Sequence, residues 1–119
     1  MKNIPFQTID WKEISKNSLP GETGYATSQT LHFRGLRIRL VEYSAGYKAD
    51  HWCELGHFIH CISGEFTSEL STGETFTLSA GMSYIVSDKM SSHRSVTLNG
   101  AELLIIDGDF LAFTESNVV

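Results

Sequence analysis

Residues 51–57 read His-Trp-Cys-Glu-Leu-Gly-His. His51 and Cys53 are two apart, and on a strand residues i and i+2 face the same side, so both side chains can reach one point. Residues 54–56 suit a short turn with Gly56 in a left-handed position, which returns the chain so that His57 opens the next strand beside the first. Three donors of types that bind borderline metals then converge from two neighbouring strands. The ordinary alternative is that these are a surface histidine, a hydrogen-bonded core histidine and a stray thiol. Spacing alone leaves both open.

Those residues need strands to position them, and the surrounding sequence supplies strand signals. Residues 25–33, YATSQTLHF, are rich in aromatic and β-branched types. In LRIRLVEY (36–43), Leu36, Ile38 and Leu40 point one way and Arg37 and Arg39 the other; which face lines the interior stays open. HFIHCIS (57–63), EFTSEL (65–70), TFTLS (75–79), SYIVS (83–87), RSVTL (94–98) and AELLIID (101–107) complete the set. STGE predicts a hairpin between 65–70 and 75–79, and Asn99-Gly100 predicts one between 94–98 and 101–107. NSLPGETG (17–24) reads as loop. The one helix signal is Asp10 followed by Glu13, a capping-box pattern with room for one or two turns. About eight short strands at this spacing predict an all-β sandwich or barrel with at most one short N-terminal helix.

Bulk properties narrow the class. The chain has 119 residues, 41% hydrophobic and 19% charged, which suits one globular domain with its own core. We divide it into an N-terminal segment 1–24 packing on the barrel, a barrel over 25–108 and a C-terminal tail 109–119. Net charge is −5 with no lysine/arginine cluster, which argues against nucleic acid or an anionic membrane as partner. No apolar run approaches a membrane span, and the first ten residues lack a signal-peptide core, so a cytoplasmic location is expected. The two cysteines, Cys53 and Cys61, are expected to stay thiols there. Cys61, between Ile59 and Ile62, reads as a buried, inert residue.

The spacing around the cluster resembles the cupin superfamily, whose first motif runs G-x5-H-x-H-x3,4-E-x6-G. Here Gly46 is followed by four residues, His51-x-Cys53, three residues, His57, six residues and Gly64. Cys53 stands where the second histidine belongs and His57 where the glutamate belongs. The second motif, G-x5-P-x-G-x2-H-x3-N, aligns from Gly81 with one inserted residue before His93, losing its proline, second glycine and asparagine. A rival alignment from Gly73 would put Tyr84 in the histidine's place. RLVEYSAGYKADHWCELGH, GMSYIV and AELLIID resemble recurrent phrases of the small DHCW-motif cupin-fold proteins. The resemblance covers residues 20–108.

It implies a cupin-type jelly-roll β-barrel holding one divalent transition metal on His51, Cys53, His57 and His93. Imidazole and thiolate donors suit zinc, nickel or iron better than magnesium or calcium. The leading expectation is a metal-dependent enzyme acting on a small polar molecule, dioxygenase-like or isomerase-like by resemblance, with Tyr84 as the candidate pocket hydroxyl. The alternatives are a non-catalytic binding or sensing module that uses the metal to hold a small carboxylate, and a barrel without metal. Asp50 could hold a histidine N–H, and Arg37 or Arg39 could neutralise an acidic ligand. His60, of opposite strand parity to His57, should face away, and His32 has no special role. Trp11, Phe33 and Phe76 are expected in the core. A homodimer is expected from the resemblance and from the frequency of two-fold dimers.

Overall fold

Alternation along the middle of the chain produces eight strands in the computed structural model, which describes residues 3–112. They are β1 (Asn17–Pro20), β2 (Tyr25–Phe33), β3 (Leu36–Tyr43), β4 (His57–Leu70), β5 (Thr75–Ser79), β6 (Ser83–Val86), β7 (His93–Val96) and β8 (Ala101–Gly108). The remaining regular structure is two single 3-10 turns, Trp11–Glu13 and Asp109–Leu111. At the first turn the Asp10 carboxylate accepts from the Lys12 N–H, so the capping signal forms one turn and no more. Among the described residues no helix is long and apolar enough to cross a membrane. Beyond residue 112 the tail lies outside the described residues.

All pairings are antiparallel, and they form two sheets that share β4. The first runs β1-β2-β3-β8-β4-β6, using residues 57–64 of β4. In the second, residues 65–70 of β4 lie between β5 and β7. Residues 47–53 add an irregular fourth member beside β7, bridged at Lys48–Val96 and Cys53–His93. The strand passes between sheets where the register slips at Cys61/Ser63. Gly64 sits there at φ +75°, and a side chain would strike the Gly100 carbonyl. This crossing turns two flat layers into a jelly roll, open along part of its seam.

Inward positions of both sheets build one core: Val41 and Tyr43 on β3, Ile59, Cys61 and Phe66 on β4, Leu78 on β5, and Ala101, Leu103 and Ile105 on β8. Tyr43 reaches across the layers, stacking on Tyr47, meeting Phe66 edge-on and donating a hydrogen bond to Ser95. The opposite face of the first sheet carries a row of paired apolar residues, Leu31, Ile38, Ile106, Phe58 and Ile85.

Several sequence expectations change here. The segment read as loop contains β1, an edge strand whose four residues are all exposed, so it has no alternation to detect. The runs 57–63 and 65–70 are one continuous strand. The hairpin at STGE forms, with Glu69 opposite Thr75. Asn99-Gly100 does not close a hairpin: β7 pairs with β4 in the second sheet, while β8 pairs with β3 and β4 in the first. Thr97 explains this, because its hydroxyl donates to the Glu65 carbonyl and accepts from the Gly100 N–H, steering the chain across the gap. Phe76 is exposed, while Leu78 on the same face takes the core position. Trp11 and Phe33 are half-buried. Cys61 is fully buried, its thiol donating weakly to the Ser63 and Gly64 carbonyls, and burial pushes its pKa up.

Candidate functional site

Two histidines meet inside the barrel. His57 opens β4 and His93 opens β7; both are buried, and their Nε2 atoms lie 3.0 Å apart. The Tyr84 hydroxyl, on β6, lies 3.0 Å from the same His57 nitrogen. Ser91 fixes the far side of His93, with its Oγ 2.8 Å from Nδ1. Nothing pairs with His57 Nδ1, although it is buried. Burial, the neighbouring His93 and the Arg39 charge lower the His57 pKa to about 4, and burial lowers that of His93. Both rings are therefore neutral at pH 7. Two neutral rings share one proton in the Nε2 contact, and either assignment leaves His57 Nδ1 without a partner. Burial raises the Tyr84 pKa, so its hydroxyl keeps its proton.

Cys53 joins this group by a route the spacing did not suggest. It pairs with His93, each N–H donating to the other's carbonyl at 2.7 and 2.9 Å. Residues opposed across an antiparallel bridge present their side chains to one face, so the thiol and the imidazole share a side. Segment 51–53 thus lies beside β7, and not beside β4 as a tight hairpin would require. Gly56 has no left-handed backbone; it is needed because a side chain would collide with the backbone of residues 86–88. His51 is mostly exposed, with Nδ1 2.7 Å from Asp50 Oδ1. It stands with Asp50 on the wall of a cavity of about 420 Å³ that Arg39, Tyr43 and Tyr47 also line. Among the described residues, no three histidine, cysteine, aspartate or glutamate side chains form a group that could hold a metal ion.

Beside the histidines lies a second polar cluster. Arg37 and Arg39 share the β3 face of buried Val41 and Tyr43, so the arginine face is the inward one. Both meet Asp107 of β8. Arg37 grips it with two bonds, Nε to Oδ1 at 2.9 Å and Nη2 to Oδ2 at 2.8 Å, and Arg39 adds one from Nη2 at 3.1 Å. Burial pushes the Asp107 carboxyl up, but the Arg37 bonds and both guanidinium charges hold it below the usual carboxylate range. Asp107 is buried, and its place at the end of AELLIID, in step with Leu103 and Ile105, was the available signal for it. The register sets Arg37 opposite Asp107 and His57 opposite Val86, and the Asp107 and arginine charges reach His57. On the far side of Tyr84 and His93 a cavity of about 330 Å³ is lined by Ser68, Phe76, Met90 and Ser91. His60 sits on the outer face, bonded to Ser83.

No family model and no curated protein matches the sequence. Solved structures do resemble the fold. Ectoine synthase from P. lautus superposes with TM-score 0.72 at 18% identity, over 92% of this chain and 80% of that one. An RmlC-like cupin from Shewanella frigidimarina gives TM-score 0.72 at 19% identity, over 87% and 91%. A sugar phosphate isomerase of the cupin superfamily from Silicibacter pomeroyi gives 0.69 at 16%, over 87% and 76%. At such identities the likeness is one of architecture, and function must be argued from the site. The two facing antiparallel sheets, the strand shared between them and these structural neighbours make this chain a cupin-fold jelly roll.

Proposed function

We propose that the protein is a metal-dependent enzyme acting on a small polar molecule inside the barrel. The observation that carries this reading is the 3.0 Å approach of two buried, neutral imidazole Nε2 atoms. Metal–nitrogen bonds of about 2.1 Å can reach two such nitrogens from one point. His57 and His93 would each offer an Nε2 lone pair to a cation there, with each neutral ring carrying its single proton on Nδ1. His57 and His93 would hold the metal, with the Cys53 thiol on the same face. His51 is 74% exposed and bonded to Asp50 on the wall of the neighbouring cavity, so its place in the proposed set rests on the motif spacing alone. When bound, the metal supplies Lewis acidity or a centre for oxygen; zinc, nickel and iron all suit these donors.

The chain's own residues have separate tasks. Ser91 orients His93 through Nδ1. Tyr84, still protonated at neutral pH, donates a hydrogen bond to whatever occupies the space beside His57. The buried surroundings strengthen both contacts by excluding water. Turnover of a small polar substrate that depends on the metal separates an enzyme from a binding or sensing module. The Nε2–Nε2 contact also serves a metal-free barrel, in which the two histidines are simply a buried polar pair.

Cobalt(II) titration of the untagged protein tests the site directly. The proposal predicts visible ligand-field bands that disappear in His93→Ala and a near-ultraviolet sulfur-to-cobalt band that disappears in Cys53→Ser. A protein that takes up no cobalt contradicts the metal reading. A cobalt spectrum unchanged by Cys53→Ser removes the thiol from the ligand set.

A further inference from the structure

The interior charge does not balance. Two guanidiniums, Arg37 and Arg39, face one carboxylate, Asp107. Asp107 is used unevenly. Arg37 takes the two-bond grip, and Arg39 gets a single bond at 3.1 Å. A guanidinium has five N–H donors. The Arg39 Nε is buried with no hydrogen-bond partner, so neither protein nor open solvent satisfies it. The Nε is closed to solvent while the side chain as a whole is 23% exposed, so the charge is partly removed from water and an opposite charge beside it is favourable.

Room for that charge lies against Arg39. The cavity of about 420 Å³ is large enough for a small organic molecule. Its polar lining includes Ser28 and Tyr47; its apolar lining includes Ala26, Val41 and Ile105. At the wall, Asp50 carries a negative charge but is exposed and bonded to His51, which limits its repulsion toward an anion further in. One excess positive charge calls for one negative charge. Planar guanidinium donors match a carboxylate, and the apolar walls match a short carbon body.

We propose that this cavity is a binding site for a small organic monocarboxylate, with Arg39 as the residue that holds it. The site needs no cation and rests on Arg39; of the residues in the proposed metal set, its wall includes only His51.

The test is calorimetric titration of full-length, chelator-treated protein with isobutyrate, its neutral amide isobutyramide, and inorganic phosphate. Isobutyrate is expected to bind saturably and isobutyramide not to bind. Arg39→Lys keeps a charge beside Asp107 but loses the planar donor fork, and is expected to weaken isobutyrate binding about tenfold. Arg39→Met is expected to abolish binding; if it does not fold, Arg39→Lys decides. Equal binding of acid and amide, no isobutyrate binding, tighter binding of phosphate, or unchanged affinity in Arg39→Lys each overturns the proposal. Metal content is measured separately on untreated protein, so a barrel without a cation and a barrel without an anion site give different pairs of results.

Discussion

Two layers of the barrel interior are built from the same strands and differ in kind. On β4, Cys61 lies four residues from His57; on β8, Leu103 lies four residues from Asp107; on β3, Val41 and Arg37 are equally spaced. One layer is closed and apolar, with Phe66, Leu103 and Cys61 almost wholly removed from solvent. The other gathers Arg37, Arg39, Asp107, His57, Tyr84 and His93 between two cavities. Among the described residues, the two buried side-chain atoms without a hydrogen-bond partner, Arg39 Nε and His57 Nδ1, both belong to the polar layer. The first layer supplies stability by packing. The second carries unmet hydrogen bonds on a scaffold held firm by the first, which is where ligand chemistry belongs.

That contrast can be broken from either side. The largest effect is expected from Phe66→Ala, which empties the apolar layer and should cost about 3–5 kcal/mol in urea unfolding. Next comes Asp107→Asn, which leaves two guanidiniums facing each other without a carboxylate and should cost about 3 kcal/mol. A loss as small as that of a surface change would show that water already neutralises the arginines.

A pH series sharpens the same comparison. In metal-free protein the His57 pKa is about 4, against 6.5 for the free side chain. The unfolded chain therefore binds a proton at higher pH than the folded one. This contribution is fully present above pH 6.5 and is lost as pH falls toward 4, by up to roughly 3 kcal/mol. Urea midpoints measured across that window should fall with acidity in the wild type and fall less in His57→Gln. The smallest effect is expected outside both layers. Glu69→Gln breaks the partly exposed Arg94–Glu69 pair and should change stability by less than about 1 kcal/mol. Arg94 also keeps its position over the Trp52 ring.

The strands were legible where one face is buried and the other is not. β2, β3 and β5 have the ends expected from alternation and turn residues. β1 was invisible because an exposed edge strand has no apolar face, and Asn99-Gly100 misled because Thr97 fixes a crossing between sheets with local hydrogen bonds. In the polar layer, motif spacing drew attention to His57, His93 and Tyr84, which the fold brings together from three strands. It could not show that Cys53 would pair with His93, since that depends on a contact forty residues away in sequence. The arginine face was ambiguous because Leu36, Ile38 and Leu40 form an equally apolar alternative. The parity of Arg37 and Arg39 with Val41 and Tyr43, and of Asp107 with Leu103 and Ile105, carried the answer.

The most direct test of the account is elemental analysis of untagged protein and its His57→Ala variant, purified in parallel and checked for folding by circular dichroism. The account predicts stoichiometric zinc, nickel or iron in the wild type and little in a folded His57→Ala. A wild-type protein free of transition metal, or full occupancy in the folded variant, would contradict it.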